Sequence, residues 1–115
     1  MTKRLIEIRS YKLKPGQRDA FHAAATEAAV PLLKQWKMDV VAHGPSPHDP
    51  DAYYLIRAYD DLDDLRRQQQ AFYGSKDWIE GPSTAIVPLV ASFLNTVLWV
   101  SPETIGDLRR SNPAA

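Results

Sequence analysis

In Arg4 to Leu13, and again in residues 52–60, apolar side chains recur at every second position, while the set between them mixes charge with bulk. Period two marks extended strands whose side chains point alternately to opposite faces. On the first segment Ile6 and Ile8 form one set, and Leu5, Glu7, Arg9, Tyr11 and Leu13 form the other. On the second, Tyr54, Ile56 and Ala58 alternate with Tyr53, Leu55, Arg57 and Tyr59. A solvated face would carry polar residues without the large apolar ones. Both faces of these strands therefore need a cover.

The remaining elements follow from turn signals and periodicity. Lys14-Pro15-Gly16 ends the first strand, and the alanine-rich run 17–36 predicts a helix with Phe21, Ala25, Ala28 and Leu32 on its buried stripe. Pro31 lacks a backbone donor and should kink the last turn. Residues 39–43 read as a short strand, before a loop with three prolines in 44–50. After the strand 52–59, the run 60–73 predicts a second helix closed by Gly74, with Asp60, Asp61, Asp63 and Asp64 favouring the positive end of its dipole. Ser75 caps a short turn carrying Trp78, Gly81-Pro82 opens a further helical segment that Pro88 stops, and 91–100 returns to strand. The order β-α-β-β-α-β is that of the ferredoxin-like plait, an antiparallel four-stranded sheet of the α+β class. Residues 1–100 make one domain, and 101–115 form a C-terminal extension with a short helix over 102–110 and a frayed tail.

Assigning the more apolar set to the helices leaves the mixed face uncovered. That face adds Val41 and His43 on the second strand, and Phe93, Asn95, Val97 and Trp99 on the last. The simplest cover is a second copy, giving a homodimer, with higher oligomers compatible, whose two sheets enclose a roughly barrel-shaped interior. Charges inside must be paired. Arg9 and Arg57 either pair with Glu7 or hold an anionic ligand through the planar guanidinium fork, and the residues leave both readings open.

Four segments carry a family likeness: RSYKLKPG at 9–16, VVAHGP at 40–45, YYLIRAY at 53–59 and FYGSKDWIEGP at 72–82. In this order and spacing the chain resembles the NIPSNAP family over about residues 5–100. The resemblance implies a dimeric α+β barrel, a fold shared with cofactor-independent monooxygenases, isomerases and some haem proteins. Two positions depart from the family pattern: glycine is common where Lys37 stands, and a basic residue often stands at Ser83.

Composition narrows the function classes. Fourteen basic residues balance fourteen acidic ones without clustering, so no nucleic-acid footprint is present. The apolar stretch 85–100 is broken by Pro88, Ser92 and Asn95, and the chain opens on a strand, so no membrane insertion is expected and the expected location is cytoplasmic. There are no cysteines, and the three histidines have no ligand spacing, so neither metal nor cofactor is expected. His43, at a strand end beside Gly44-Pro45, is the candidate general base. Tyr11 and Tyr59 are candidate donors to a ligand oxyanion. Glu7, Arg9, Arg57, Asn95, Trp99 and Trp78 are the candidate ligand-binding residues. The expected function is binding or conversion of a small aromatic or carboxylate-bearing metabolite, as a cofactor-independent monooxygenase or isomerase. The alternatives are a non-catalytic homodimeric interaction protein and a haem-binding protein.

Overall fold

The computed structural model describes residues 3–113. The four strands are β1 (Arg4–Leu13), β2 (Asp39–Pro45), β3 (Ala52–Tyr59) and β4 (Val90–Val100), in one antiparallel sheet of order β2-β3-β1-β4. The expected plait is therefore present. Between β1 and β2 the chain winds as α1 (Arg18–Ala24), widens into a π-helical turn (Ala25–Ala29) and continues as α2 (Val30–Gln35). The wide turn lies immediately before Pro31, which cannot donate to the ladder, so the local strain expected at this proline is taken up as a π-bulge.

Helix α2 ends in a Schellman motif: the Met38 amide donates to the Leu33 carbonyl at 3.0 Å and the Lys37 amide to that of Lys34 at 2.9 Å. Lys37 takes φ +60° there, a left-handed conformation that favours glycine. Its departure from the family pattern is thus a strained position.

After β3, α3 (Leu62–Tyr73) is capped by Asp61, whose carboxylate accepts from the Asp64 amide at 2.8 Å. Two short helices, α4 (Lys76–Ile79) and α5 (Ser83–Ile86), and a 3-10 turn (Val87–Leu89) lead to β4. Then α6 (Pro102–Ser111) packs Ile105 and Leu108 against Ile6, Ala42 and Ile56. Arg109 fastens it by donating to the Val40 carbonyl at 2.8 Å and pairing with Asp39. Of the expected frayed tail, Ala114 and Ala115 lie outside the described residues.

The two faces are covered in the opposite sense to the expected one. Leu5, Leu55 and Tyr59 of the mixed set pack with Val30, Leu33, Leu65 and Phe72 of α2 and α3. Leu13 and Tyr53 pack with Phe21, Ala25 and Ala29. The mixed face thus lies under the chain's own helices, not in a dimer interior. The apolar face is only partly covered, by α6, and Leu94 on it is 78% exposed. The second strand also breaks its alternation. Register shifts between Val40 and Ala42, so Val40 joins the helix-facing core while Val41 joins the opposite one. A bulge adds one residue and inverts the pattern beyond it.

Candidate functional site

The mixed face is buried with its charges gathered into one hydrogen-bonded network. Glu7 and Arg57 stand opposite one another in register on β1 and β3. Arg57 donates to one Glu7 carboxylate oxygen from Nε at 3.0 Å and from a terminal nitrogen at 2.7 Å. The other oxygen accepts from Gln69 at 2.8 Å and from Arg9 at 3.3 Å. Arg57 is fully buried and Glu7 is 1% exposed. Burial opposes the charge on Arg57, but the nearby oxygens of Tyr73, Tyr59 and Glu7 outweigh it and hold the guanidinium cationic.

Helix α3 closes the network from above. Its Gln69 also donates to the Tyr59 hydroxyl at 3.1 Å, and its Tyr73 hydroxyl accepts from Arg57 at 2.8 Å and from Arg9 at 3.2 Å. From β4, Asn95 accepts from Arg9 Nε at 2.9 Å. Tyr59 is fully buried, and its phenol is pushed up to about 12, first by burial, with Arg57 and Gln69 pulling the other way. Sequence reasoning missed Gln69, and took Tyr73 only as part of an aromatic group with Phe72 and Trp78, not as a hydrogen-bond partner of the two arginines. The signal was present: Gln69 falls four residues after the buried Leu65 and three before the buried Phe72, on the inward stripe.

Beside this network lies an open, mainly apolar cleft of about 560 Å³, lined among others by Arg9, Tyr11, Tyr73, Trp78, Ile86 and Phe93. It is formed by one chain, between the sheet and the segments around α4 and α5. Among the described residues, Arg9 is the only charged one in its wall. Its guanidinium stacks on Phe93 at 4.6 Å. Of its five N–H groups, the four bonds to Asn95, Tyr73, Glu7 and Gln69 engage four, and the fifth is within reach of the Tyr11 hydroxyl in the cleft wall. The Tyr11 phenol is raised, first by burial and then by Tyr73, with Arg9 and Arg57 opposing, so it stays a neutral donor at neutral pH.

His43 stands apart from the cleft. Its Nδ1 lies 3.0 Å from the Tyr53 hydroxyl, which is also 2.7 Å from His22 Nδ1. It lines a second cavity of about 30 Å³, room for a water. This cavity shares Tyr11, Tyr73, Trp78 and Ile86 with the cleft. His43 is lowered by burial, then by the charges of His22 and Lys34. Of the sequence candidates, Arg9, Tyr11 and Trp78 reach the cleft directly. Glu7, Arg57, Tyr59 and Asn95 stand behind Arg9 as its support. Trp99 belongs to neither group and is 51% exposed on the edge strand. Among the described residues, no three His, Asp or Glu side chains gather as a metal site, and no helix is long and apolar enough to cross a membrane.

The family pattern of NIPSNAP matches residues 6–102. The chain belongs to the NIPSNAP family. Solved NIPSNAP structures share its fold: one from Agrobacterium tumefaciens str. C58 superposes with a TM-score of 0.79 at 14% identity, over 89% of this chain and 90% of that one. A NIPSNAP-like domain protein from Burkholderia xenovorans gives 0.77 at 19% identity, over 86% of each chain. A Bordetella bronchiseptica protein provisionally named as an antibiotic biosynthesis monooxygenase gives 0.64 at 23% identity, over 85% and 95%. No curated protein matches this NIPSNAP chain in sequence.

Proposed function

We propose that this NIPSNAP protein binds and converts a small aromatic or carboxylate-bearing metabolite in the Arg9 cleft, by proton-transfer chemistry of the cofactor-independent monooxygenase or isomerase type. The observation that carries the reading is a charge imbalance at an apolar cleft. Two guanidiniums, Arg9 and Arg57, share the single carboxylate of Glu7, and the more exposed of the two faces the cleft beside the Tyr11 hydroxyl. An anion there would complete the pairing. Tyr11, Trp78 and Phe93 offer rings for a planar ligand, and Tyr11 is a neutral donor to a developing enolate. His43 is the base of this scheme, reaching the ligand through the water-sized cavity behind Tyr11 and Trp78. Fold likeness to provisionally named monooxygenases is consistent with the reaction class and does not identify it.

Benzoate is the first probe. Titration calorimetry should detect it binding to the wild-type protein, and Arg9→Gln should weaken it by roughly ten- to a hundredfold, the worth of a hydrogen bond to a charged partner. Equal binding by Arg9→Gln would sink the assignment. Native mass spectrometry of freshly purified protein should also reveal a bound small molecule.

The self-pairing of Glu7, Arg57 and Tyr59 favours a second reading, in which the polar network only stabilises a homodimeric interaction protein. Both readings include a homodimer, supported by the exposed apolar residues of β4. Only the first requires the cleft to bind a ligand.

A further inference from the structure

Among the described residues, Tyr73 is the one of the cleft wall whose hydroxyl accepts from two guanidiniums and donates to no protein group. Its oxygen accepts from Arg57 at 2.8 Å and from Arg9 at 3.2 Å. A phenol oxygen has two acceptor positions and one O–H, and these bonds occupy both acceptor positions. Among the described residues the O–H donates to no protein group. The ring itself stands edge-on to Phe72, with centroids 5.0 Å apart, and to Trp78 at 5.2 Å, and Tyr73 belongs both to the buried network and to the cleft wall. Neither neighbouring tyrosine is placed this way. Tyr59 is sealed beneath α3, and the Tyr11 hydroxyl has Arg9 alone as a hydrogen-bonding guanidinium, not two.

We propose that Tyr73 is the proton donor of the cleft, presenting its O–H to an oxyanion of the bound ligand; this rests on the cleft being the ligand site. In the transfer, the O–H bond of Tyr73 breaks as an O–H bond forms on the ligand oxygen. The electron pair left on the phenolate is held by the N–H groups of Arg57 and Arg9, and nothing is oxidised or reduced. The reverse step takes a proton from an enol or phenol. The second guanidinium thereby gains a use: Arg57 is sealed from the cleft, and it acts on the ligand only through Tyr73, as a positioning residue. The substrate class narrows to molecules carrying an enolate or phenolate oxygen beside an apolar ring.

The test compares 4-nitrophenolate with its uncharged methyl ether, 4-nitroanisole. Wild-type protein should bind both, and Tyr73→Phe should lose about tenfold or more in affinity for 4-nitrophenolate while keeping that for 4-nitroanisole within about threefold. Bound 4-nitrophenol should also ionise at lower pH in the wild type than in Tyr73→Phe. Because Phe removes an acceptor shared by two guanidiniums, a variant that fails to fold is replaced by a measurement on the unaltered protein. With 13C-labelled tyrosine, the Tyr73 Cζ resonance should move on adding 4-nitrophenolate and stay in place with 4-nitroanisole. If Tyr73→Phe binds both probes as the wild type does, or Cζ does not respond to the anion, the donor assignment falls and the cleft reading stands. If wild-type protein binds neither probe, the cleft reading falls and takes the donor with it.

Discussion

At the residue scale, Glu7 is the hinge of the buried chemistry because it is the single anion between two buried guanidiniums. Breaking such a pair is costlier than never having made it, since the abandoned charge stays in a low-dielectric interior. Glu7→Gln should destabilise the fold by about 3–5 kcal/mol in urea unfolding. Replacing Glu7 and Arg57 together by Leu and Met should cost clearly less than the sum of the single changes. His43 makes a second prediction. Its folded-state pKa is lowered, chiefly by burial, so the unfolded chain binds the proton more readily than the native one. Its contribution to stability is therefore whole above the ordinary histidine value of about 6.5 and is lost as pH falls from there toward the folded value. Thermal melts from pH 7.5 to 5 should decline in the wild type and be measurably flatter in His43→Gln.

At the element scale, the turn after α2 gives a test independent of the site. Lys37 occupies the left-handed position of the Schellman motif, and Lys37→Gly should stabilise the protein by about 0.5–1 kcal/mol in chemical denaturation, the relieved strain exceeding the added freedom of the unfolded chain. A loss of stability would mean that the Lys37 side chain has a role the strain account omits. Elements were legible in the sequence because their signals are local: Pro15-Gly16, Gly74 and Ser75 punctuate, and period two names the strands. What local pattern could not reveal was which face of the sheet the helices choose. Ile6, Ile8 and Ile56 make the apolar face look like the core. The helices cover the other one, because Gln69 and Tyr73 on α3 satisfy Glu7, Arg9 and Arg57 across a sequence distance of about sixty residues, or sixteen for Arg57 and Tyr73. The bulge beyond Val40 was hidden for the same reason, being defined by its partner strand and not by its own residues. The site inherits this split. Arg9, Tyr11 and Trp78 could be named from the sequence, whereas their union with Tyr73 and Gln69 depends on how α3 lies on the sheet.

At the scale of the whole molecule, the sheet is finished on one face and unfinished on the other. Helices α1 to α3 bury the mixed face, while α6 reaches only the part of the apolar face made by residues of β1, β2 and β3 such as Ile6, Ala42 and Ile56. That leaves β4 as an edge strand exposing Phe93, Val97 and Trp99 on one side, and Leu94 and Leu98 on the other. An exposed apolar edge of this kind invites association unless a partner takes it. A second copy docked by its own apolar face would hide Leu94 and Leu98, each contributing roughly 1.5–3 kcal/mol when buried. Light scattering on the wild-type protein at tens of micromolar should then report twice the chain mass, and the double variant Leu94→Asp, Leu98→Asp should report one chain with an unchanged far-UV spectrum. A monomeric wild type would remove the dimer. Assembly should also reach the cleft, since residues 90–93 of β4 lie in its wall and Phe93 stacks on Arg9. A strand with both faces loose holds that ring less firmly than one clamped by a partner. The double variant should therefore bind benzoate more weakly than the wild type although neither substituted residue lines the cleft, and unchanged affinity would show that β4 holds Phe93 without help from a second copy.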